Sequence, residues 1–263
     1  MTVQRAPSNR LRAAVAIATF GALCALLIVA WPFTYFGRRN ETSSLRMRER
    51  WTHWSLHQSA RIFGFNVVVS GSRPESGSII APNHMGYGDI FAIGGRVPCF
   101  FVSKSEVASW PIIGHMFRQS GQIAVARTRS TKSFKRTLEL IANRLRANHS
   151  VCVFLEGTSS GGDSVIPFHG ALLQPALSTG APIVPAAICW RSSDNRVDIA
   201  EDVAYWKDHR FVPHLFRLVG LRGIEVEVRF GDPINVVGQT RSQAAQTLHD
   251  EVVRIHTVLK NKV

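Results

Sequence analysis

The sequence predicts an α/β domain, a sheet flanked by helices, preceded by a helical module that would anchor it to a membrane. Three observations lead there. From Phe65 onward, short apolar runs alternate with segments of helical period, the pattern of a largely buried sheet layered with helices. Before that, Ala13 to Phe36 runs for 24 positions without a charged residue. Several of the later apolar runs end in turns that carry His, Glu or Arg, where ligands collect in α/β sheets.

The apolar run would extend roughly 36 Å as a helix at 1.5 Å per residue, enough to cross a bilayer core of about 30 Å with some tilt. It ends in Trp31, Pro32 and Tyr35, followed by Arg38 and Arg39, and has no small-residue cleavage site. These flanks favour a retained anchor over a signal peptide. Five arginines within 38–50 against three before the run tilt the larger domain toward the cytoplasm. Leu45 to Phe65 reads as a second helix, with Met47, Trp51, Trp54 and Ile62 at helical spacing among arginines. Two tryptophans on a basic amphipathic helix suit a membrane interface, and the same face could pack on the domain. Residues 1–64 are therefore expected to form the anchoring module and 65–263 the α/β domain.

Candidate strands are Asn66–Ser70, Ser78–Ala81, Cys99–Ser103, Gln122–Ala126, Val151–Leu155, Ile183–Ile188 and Ile224–Phe230. Candidate helices are Ile90–Gly94, Ser105–Gln119, Ser130–Asn148 and His169–Ser178. A last helix begins near Thr240, which has capping-box spacing to Gln243, and places Leu248, Val252, Ile255 and Leu259 on one face.

The chain of 263 residues is 45% hydrophobic and carries a formal net charge of +13. Residues 1–62 hold nine arginines against two glutamates, beside the longest apolar run. Charge placed there suits anionic lipid headgroups, and no nucleic-acid-binding module is present, so no nucleic-acid partner is expected. Cys24, Cys99, Cys152 and Cys189 are widely spaced in apolar contexts and form no C-x-x-C, which reads as reduced core or membrane residues.

The chemistry centres on Asn83-His84-Met85-Gly86-Tyr87-Gly88-Asp89, just after the run Ser78–Ala81. Five residues apart, His84 and Asp89 would lie on different faces of one continuous helix, so a turn or helix start is expected. An Asp accepting from one ring nitrogen fixes the tautomer and leaves the other nitrogen to take a proton from a hydroxyl. Lys104 and Glu106 follow another strand, and Arg127 stands at the end of Gln122–Ala126, a common way to present a guanidinium to a phosphate or carboxylate. Glu156-Gly157-Thr158-Ser159-Ser160-Gly161-Gly162 is a strand end running into a glycine-rich turn that offers N–H groups to an anionic oxygen. Ala181–Ile188 is apolar and could line a tail groove or be plain core.

In this order, His-x4-Asp, the Lys…Glu…Pro…Gly…Gly…Arg block, Glu-Gly-Thr and Pro-Ile-Val-Pro resemble the glycerolipid acyltransferases related to bacterial 1-acylglycerol-3-phosphate acyltransferase. The resemblance covers roughly residues 78–190. It implies a glycerolipid-acyltransferase sheet, no metal or cofactor, an acyl carrier protein or coenzyme A thioester as donor, and a lysolipid acceptor. It further implies His84 as general base, Asp89 as its orienting partner, and Arg127 at the acceptor's anionic headgroup. Glu156, Gly157 and Thr158 would help shape the acceptor site, and Lys104 would neutralise developing charge. A bacterial inner membrane, with the catalytic domain on its cytoplasmic side, is the implied location.

Two departures lower the positive charge of the presumed headgroup pocket. Ser159 stands where phosphatidic-acid-forming members commonly have Arg, and His169 follows Pro167-Phe168 where Lys is common. The Glu-Gly-Thr-Ser-Ser-Gly form is more like the acyltransferases of lyso-ornithine lipids. Residues and resemblance together lead to 1-acylglycerol-3-phosphate as the first expected acceptor, with a lyso-ornithine lipid as the alternative. A non-catalytic membrane adaptor is the rival from another class. A serine hydrolase is disfavoured because no G-x-S-x-G occurs.

Overall fold

A computed structural model describes residues 6–35, 41–126 and 131–262. Two helices open the chain, α1 (Arg10–Tyr35) and α2 (Glu41–Phe63). The alternating part follows as β1 (Asn66–Gly71), β2 (Ile79–Pro82), α3 (Gly88–Gly94), β3 (Phe100–Lys104), α4 (Ile113–Ser120), β4 (Ile123–Val125) and α5 (Thr131–Arg146). It continues with β5 (Val151–Cys152), α6 (Gln174–Thr179), β6 (Ile183–Ser192), α7 (Phe211–Gly220), β7 (Ile224–Phe230) and α8 (Arg241–Lys260).

The strands form one seven-stranded sheet in the order β1-β7-β6-β2-β5-β3-β4. All neighbouring pairs are parallel except β6 with β7. The central strands are buried on both faces, β2 throughout its length and β6 through its first eight residues. That accounts for their unbroken apolar runs. One face is covered by α1, α2, α3 and α7, where Ala13, Ala16, Ala60, Phe63, Ile93, Leu218 and Val219 join the core. The other carries α5, α6 and α8, with Ile141, Ala176 and Leu248 in its cluster. In packing, then, the N-terminal helices share a core with the sheet. On α1 the opposite side presents Leu11, Val15, Leu26 and Val29 to the outside, and by length and composition this helix could cross a membrane. Cys24, Cys99, Cys152 and Cys189 are all free and buried.

Three expected elements differ. Ser105–Gln119 is a 3₁₀ turn (Ser105–Ser109) and α4 separated by Trp110-Pro111-Ile112. Pro111 holds Trp110 extended (φ −68°, ψ 141°), which breaks the helix. His169–Ser178 likewise divides into a 3₁₀ turn (Gly170–Leu173) and α6, whose Pro175 sits in the first turn, where no N–H is needed. Val151–Leu155 pairs as a strand only through Cys152, because the chain then leaves the sheet to build the site. A π-helical turn (Ile199–Val203) and α7 were not expected. The capping box at Thr240 and Gln243 is present, and Leu248, Val252, Ile255 and Leu259 are buried.

Candidate active site

The turn after β2 is held before its chemistry begins. Asn83, buried, donates from Nδ2 to the carbonyl of Ile188 (3.1 Å) and accepts from the Ile188 N–H at Oδ1 (2.7 Å), extending the β2–β6 pairing through a side chain. The next residues turn sharply into α3, as the spacing of five required. A Cβ at Gly86, where φ is +151°, would meet the Tyr205 backbone at 2.8 Å, and one at Gly88 would meet the Trp190 ring at the same distance. Both glycines are thus demanded by close approach.

Asp89, in the first turn of α3, is 0% exposed. Its Oδ2 accepts from His84 Nδ1 (2.9 Å) and from the backbone N–H groups of Met85 (2.6 Å) and Gly86 (3.0 Å). Trp190 Nε1 donates to Oδ1 at 2.8 Å. Four donors converge on this carboxyl, which therefore acts as an acceptor at every bond and fixes the His84 proton on Nδ1. The imidazole stacks on Phe154 with ring centroids 3.9 Å apart. Its side chain is 20% exposed, and Nε2 has no partner among the described residues. An oriented imidazole with an open Nε2 can take a proton from a hydroxyl.

Glu156 supports the same turn from β5. It is 2% exposed, and its Oε1 accepts from the His84 N–H at 3.1 Å while Oε2 is buried with no partner. Burial pushes its carboxyl up to about 8, opposed by the bond from the His84 backbone and assisted by nearby Asp89. Ser160 N–H donates to the His84 carbonyl (2.9 Å). Ser159 Oγ donates to the Tyr205 carbonyl (2.5 Å), and the Tyr205 N–H donates to the Met85 carbonyl (2.8 Å). The segment at 205 therefore ties the Glu-Gly-Thr turn to the His84 turn. Below it, Tyr87 Oη and His214 Nδ1 are hydrogen-bonded at 2.7 Å. Burial, then His209 stacked beside it, holds His214 down at about 4.

Comparison with known proteins bears on what this turn belongs to. The family model described as Acyltransferase matches residues 65–189. The lyso-ornithine lipid O-acyltransferase of Pseudomonas aeruginosa is 30% identical over 207 residues, 78% of each chain. That of Brucella abortus is 30% identical over 244 residues, 88% of this chain and 90% of its own. The chain belongs to this acyltransferase family. The 1-acyl-sn-glycerol-3-phosphate acyltransferase of Neisseria gonorrhoeae is 26% identical over 189 residues, 72% of this chain and 71% of its own. The crystal structure of the 1-acyl-sn-glycerophosphate acyltransferase PlsC from Thermotoga maritima shares the fold, with a TM-score of 0.69 at 19% identity over 96% of this chain and 98% of that one.

In the acyltransferase, the residues singled out in the sequence fall along the carboxyl edge of the parallel strands. His84 follows β2, Glu156 follows β5, and Lys104 ends β3. Because β5 lies between β2 and β3, the Lys104 backbone starts on the order of 10 Å from β2, two strand spacings away. Lys104, Gly157 and Thr158 are exposed and Ser159 is half-buried. Arg127 lies outside the described residues, past the end of β4. His169 stands beside Gly157, where a Cβ would come within 3.3 Å of its ring. Asn83, Phe154, Trp190 and Tyr205 were missed as site residues. Asn83 offered a faint signal, an amide next to the histidine; Trp190, 101 residues from Asp89, offered none.

Proposed function

We propose that this lysolipid acyltransferase moves an acyl chain from an acyl carrier protein or coenzyme A thioester to the hydroxyl of a lyso-ornithine lipid. His84 Nε2 takes the hydroxyl proton, and the oxygen attacks the thioester carbonyl. The tetrahedral intermediate then expels the thiolate, which recovers the proton from His84. Asp89 stabilises the imidazolium formed between these steps. The acceptor assignment rests on one observation, that the hydroxyl of Ser159 is committed to the Tyr205 carbonyl. At the position where a phosphate-binding arginine is common, the side chain is a strut within the protein. The names of the Pseudomonas and Brucella relatives support the same reading.

A second acceptor, 1-acylglycerol-3-phosphate, is favoured by the exposed Lys104 at the end of β3 and by the Neisseria relative. The apolar outer side of α1 and the basic N-terminal region support placement at an anionic membrane, with the domain on the cytoplasmic side of a bacterial inner membrane.

The test uses purified protein in detergent, each thioester donor, each acceptor, and His84→Ala as control. Transfer to the lyso-ornithine lipid is expected, falling about 10²–10⁴-fold in the variant. Faster transfer to lysophosphatidate would overturn the acceptor. Loss of no activity in His84→Ala would overturn the catalytic reading in favour of an adaptor, and His84-dependent release of free fatty acid without acceptor would make the chain a thioesterase.

A further inference from the structure

Between the 3₁₀ turn and α4 the chain projects an apolar tip. Trp110 is 39% exposed and Ile112 54% exposed, with exposed Pro111 between them. Val212 at the start of α7 is 69% exposed, and its neighbour Phe211 touches the Trp110 ring at a centroid distance of 5.1 Å. The tip is held out by an unusual backbone. Ile112 has φ +60° and ψ −63°, and the N–H of Ile113 donates to the Pro111 carbonyl at 2.6 Å, closing a γ-turn of the rare positive-φ kind. A β-branched residue there is a genuine outlier. Backbone strain that keeps a large apolar side chain in the open is an observation pointing to a use.

Two further features say what the tip meets. First, its rim is cationic. Arg118 bonds the carbonyl of Ala108, exposed Arg210 precedes Phe211, and with exposed Lys104 and Lys207 they outnumber Glu106, Asp208 and Glu201, the last paired with Lys207 at 3.9 Å. Second, the tip is continuous with the apolar side of the molecule. Helix α4 starts at Ile113 and packs on both α1 and α2, and α7 packs on α1. Tryptophan with a cationic rim, on the layer that carries the long apolar helix α1, suits the boundary between headgroups and acyl chains.

We propose that Trp110, Ile112 and Val212 insert into the headgroup boundary of an anionic bilayer as a lipid contact separate from α1. From the tip an aromatic row leads inward. Phe211 lies 5.2 Å from Tyr87, which sits within the His84–Asp89 turn. The contact thus sets the catalytic turn at the depth where a lysolipid exposes its hydroxyl. It holds for either acceptor.

The test uses the full chain in vesicles of mixed phosphatidylglycerol and phosphatidylcholine that carry a nitroxide on the acyl carbons nearest the headgroup. An environment-sensitive fluorophore is attached at Ile112→Cys, at Val212→Cys, and at Asp250→Cys on α8, which lies on the other face of the sheet. The native thiols are buried, so the introduced one is the accessible target. Strong quenching and a blue shift at 112 and 212, with neither at 250, are expected. If the label at 112 or at 212 is as water-exposed as that at 250, or if all three are quenched alike, the proposal fails. Ile112→Gly provides a second readout, because glycine adopts this turn without strain. It is expected to keep or raise the thermal midpoint while slowing transfer to vesicle-embedded lysolipid several-fold and leaving transfer to detergent-dispersed lysolipid unchanged. Equal effects on both presentations would overturn the proposal.

Discussion

Asp89 and Glu156 are both buried carboxyls bonded to the His84 turn, yet they are solvated by the protein in opposite ways. Asp89 receives four hydrogen bonds, so its charge is matched where it sits. Glu156 receives one, from the His84 N–H, and its second oxygen has none. Desolvation therefore dominates, raising its carboxyl from the ordinary 4.5 to about 8 in the folded protein. Between those values the folded chain holds a proton that the unfolded chain has released. Stability contributed by this group is accordingly present at low pH and lost as pH rises through about 8. Glu156→Gln keeps an acceptor for the His84 N–H and cannot ionise. Its thermal midpoint, compared with wild type at pH 5 and pH 8.5, is expected to fall less between the two. An equal fall in both proteins would mean that folding does not raise the Glu156 carboxyl.

At the scale of elements, the sequence was most readable where one period ran without interruption. Ile224–Phe230 matches β7 at both ends, and the capping box at Thr240 marks the start of α8. Reading failed where two short pieces share one apolar pattern. Ser105–Gln119 has helical spacing, but Pro111 holds Trp110 extended, a break that the apolar period hid although proline signals it. It failed again at α7, whose function is to pack on α1, a partner about 200 residues earlier in the chain. The site shows the same division. The His84–Asp89 hydrogen bond was legible because it is local, five residues apart, whereas the Trp190 bond depends on how β6 is threaded beside β2. The cap of α8 carries a prediction of its own. Thr240→Ala removes an acceptor for the Gln243 N–H and should cost about 0.5–2 kcal/mol, read as a lower urea midpoint with an unchanged slope.

Over the whole molecule, the two layers divide the labour. The face with α1, α2, α3 and α7 combines the long apolar helix, the apolar tip and the aromatic row to Tyr87, and the face with α5, α6 and α8 closes the core behind the sheet. The carboxyl edge of the parallel strands carries His84 and Glu156 between them. The four cysteines take on a meaning in this setting. In the proposed reaction the protein would meet activated thioesters, reagents able to transfer their acyl group to any accessible thiolate. Cys152 and Cys189 lie within the sheet and Cys99 just before β3, and burial pushes each thiol upward, away from the reactive thiolate form. Prolonged incubation with excess acyl-coenzyme A should leave the intact protein at its original mass, whereas the unfolded chain under the same conditions should gain acyl groups on its cysteines. In the proposed reaction, the sheet that positions His84 would thus also protect the protein from self-acylation by its own donor.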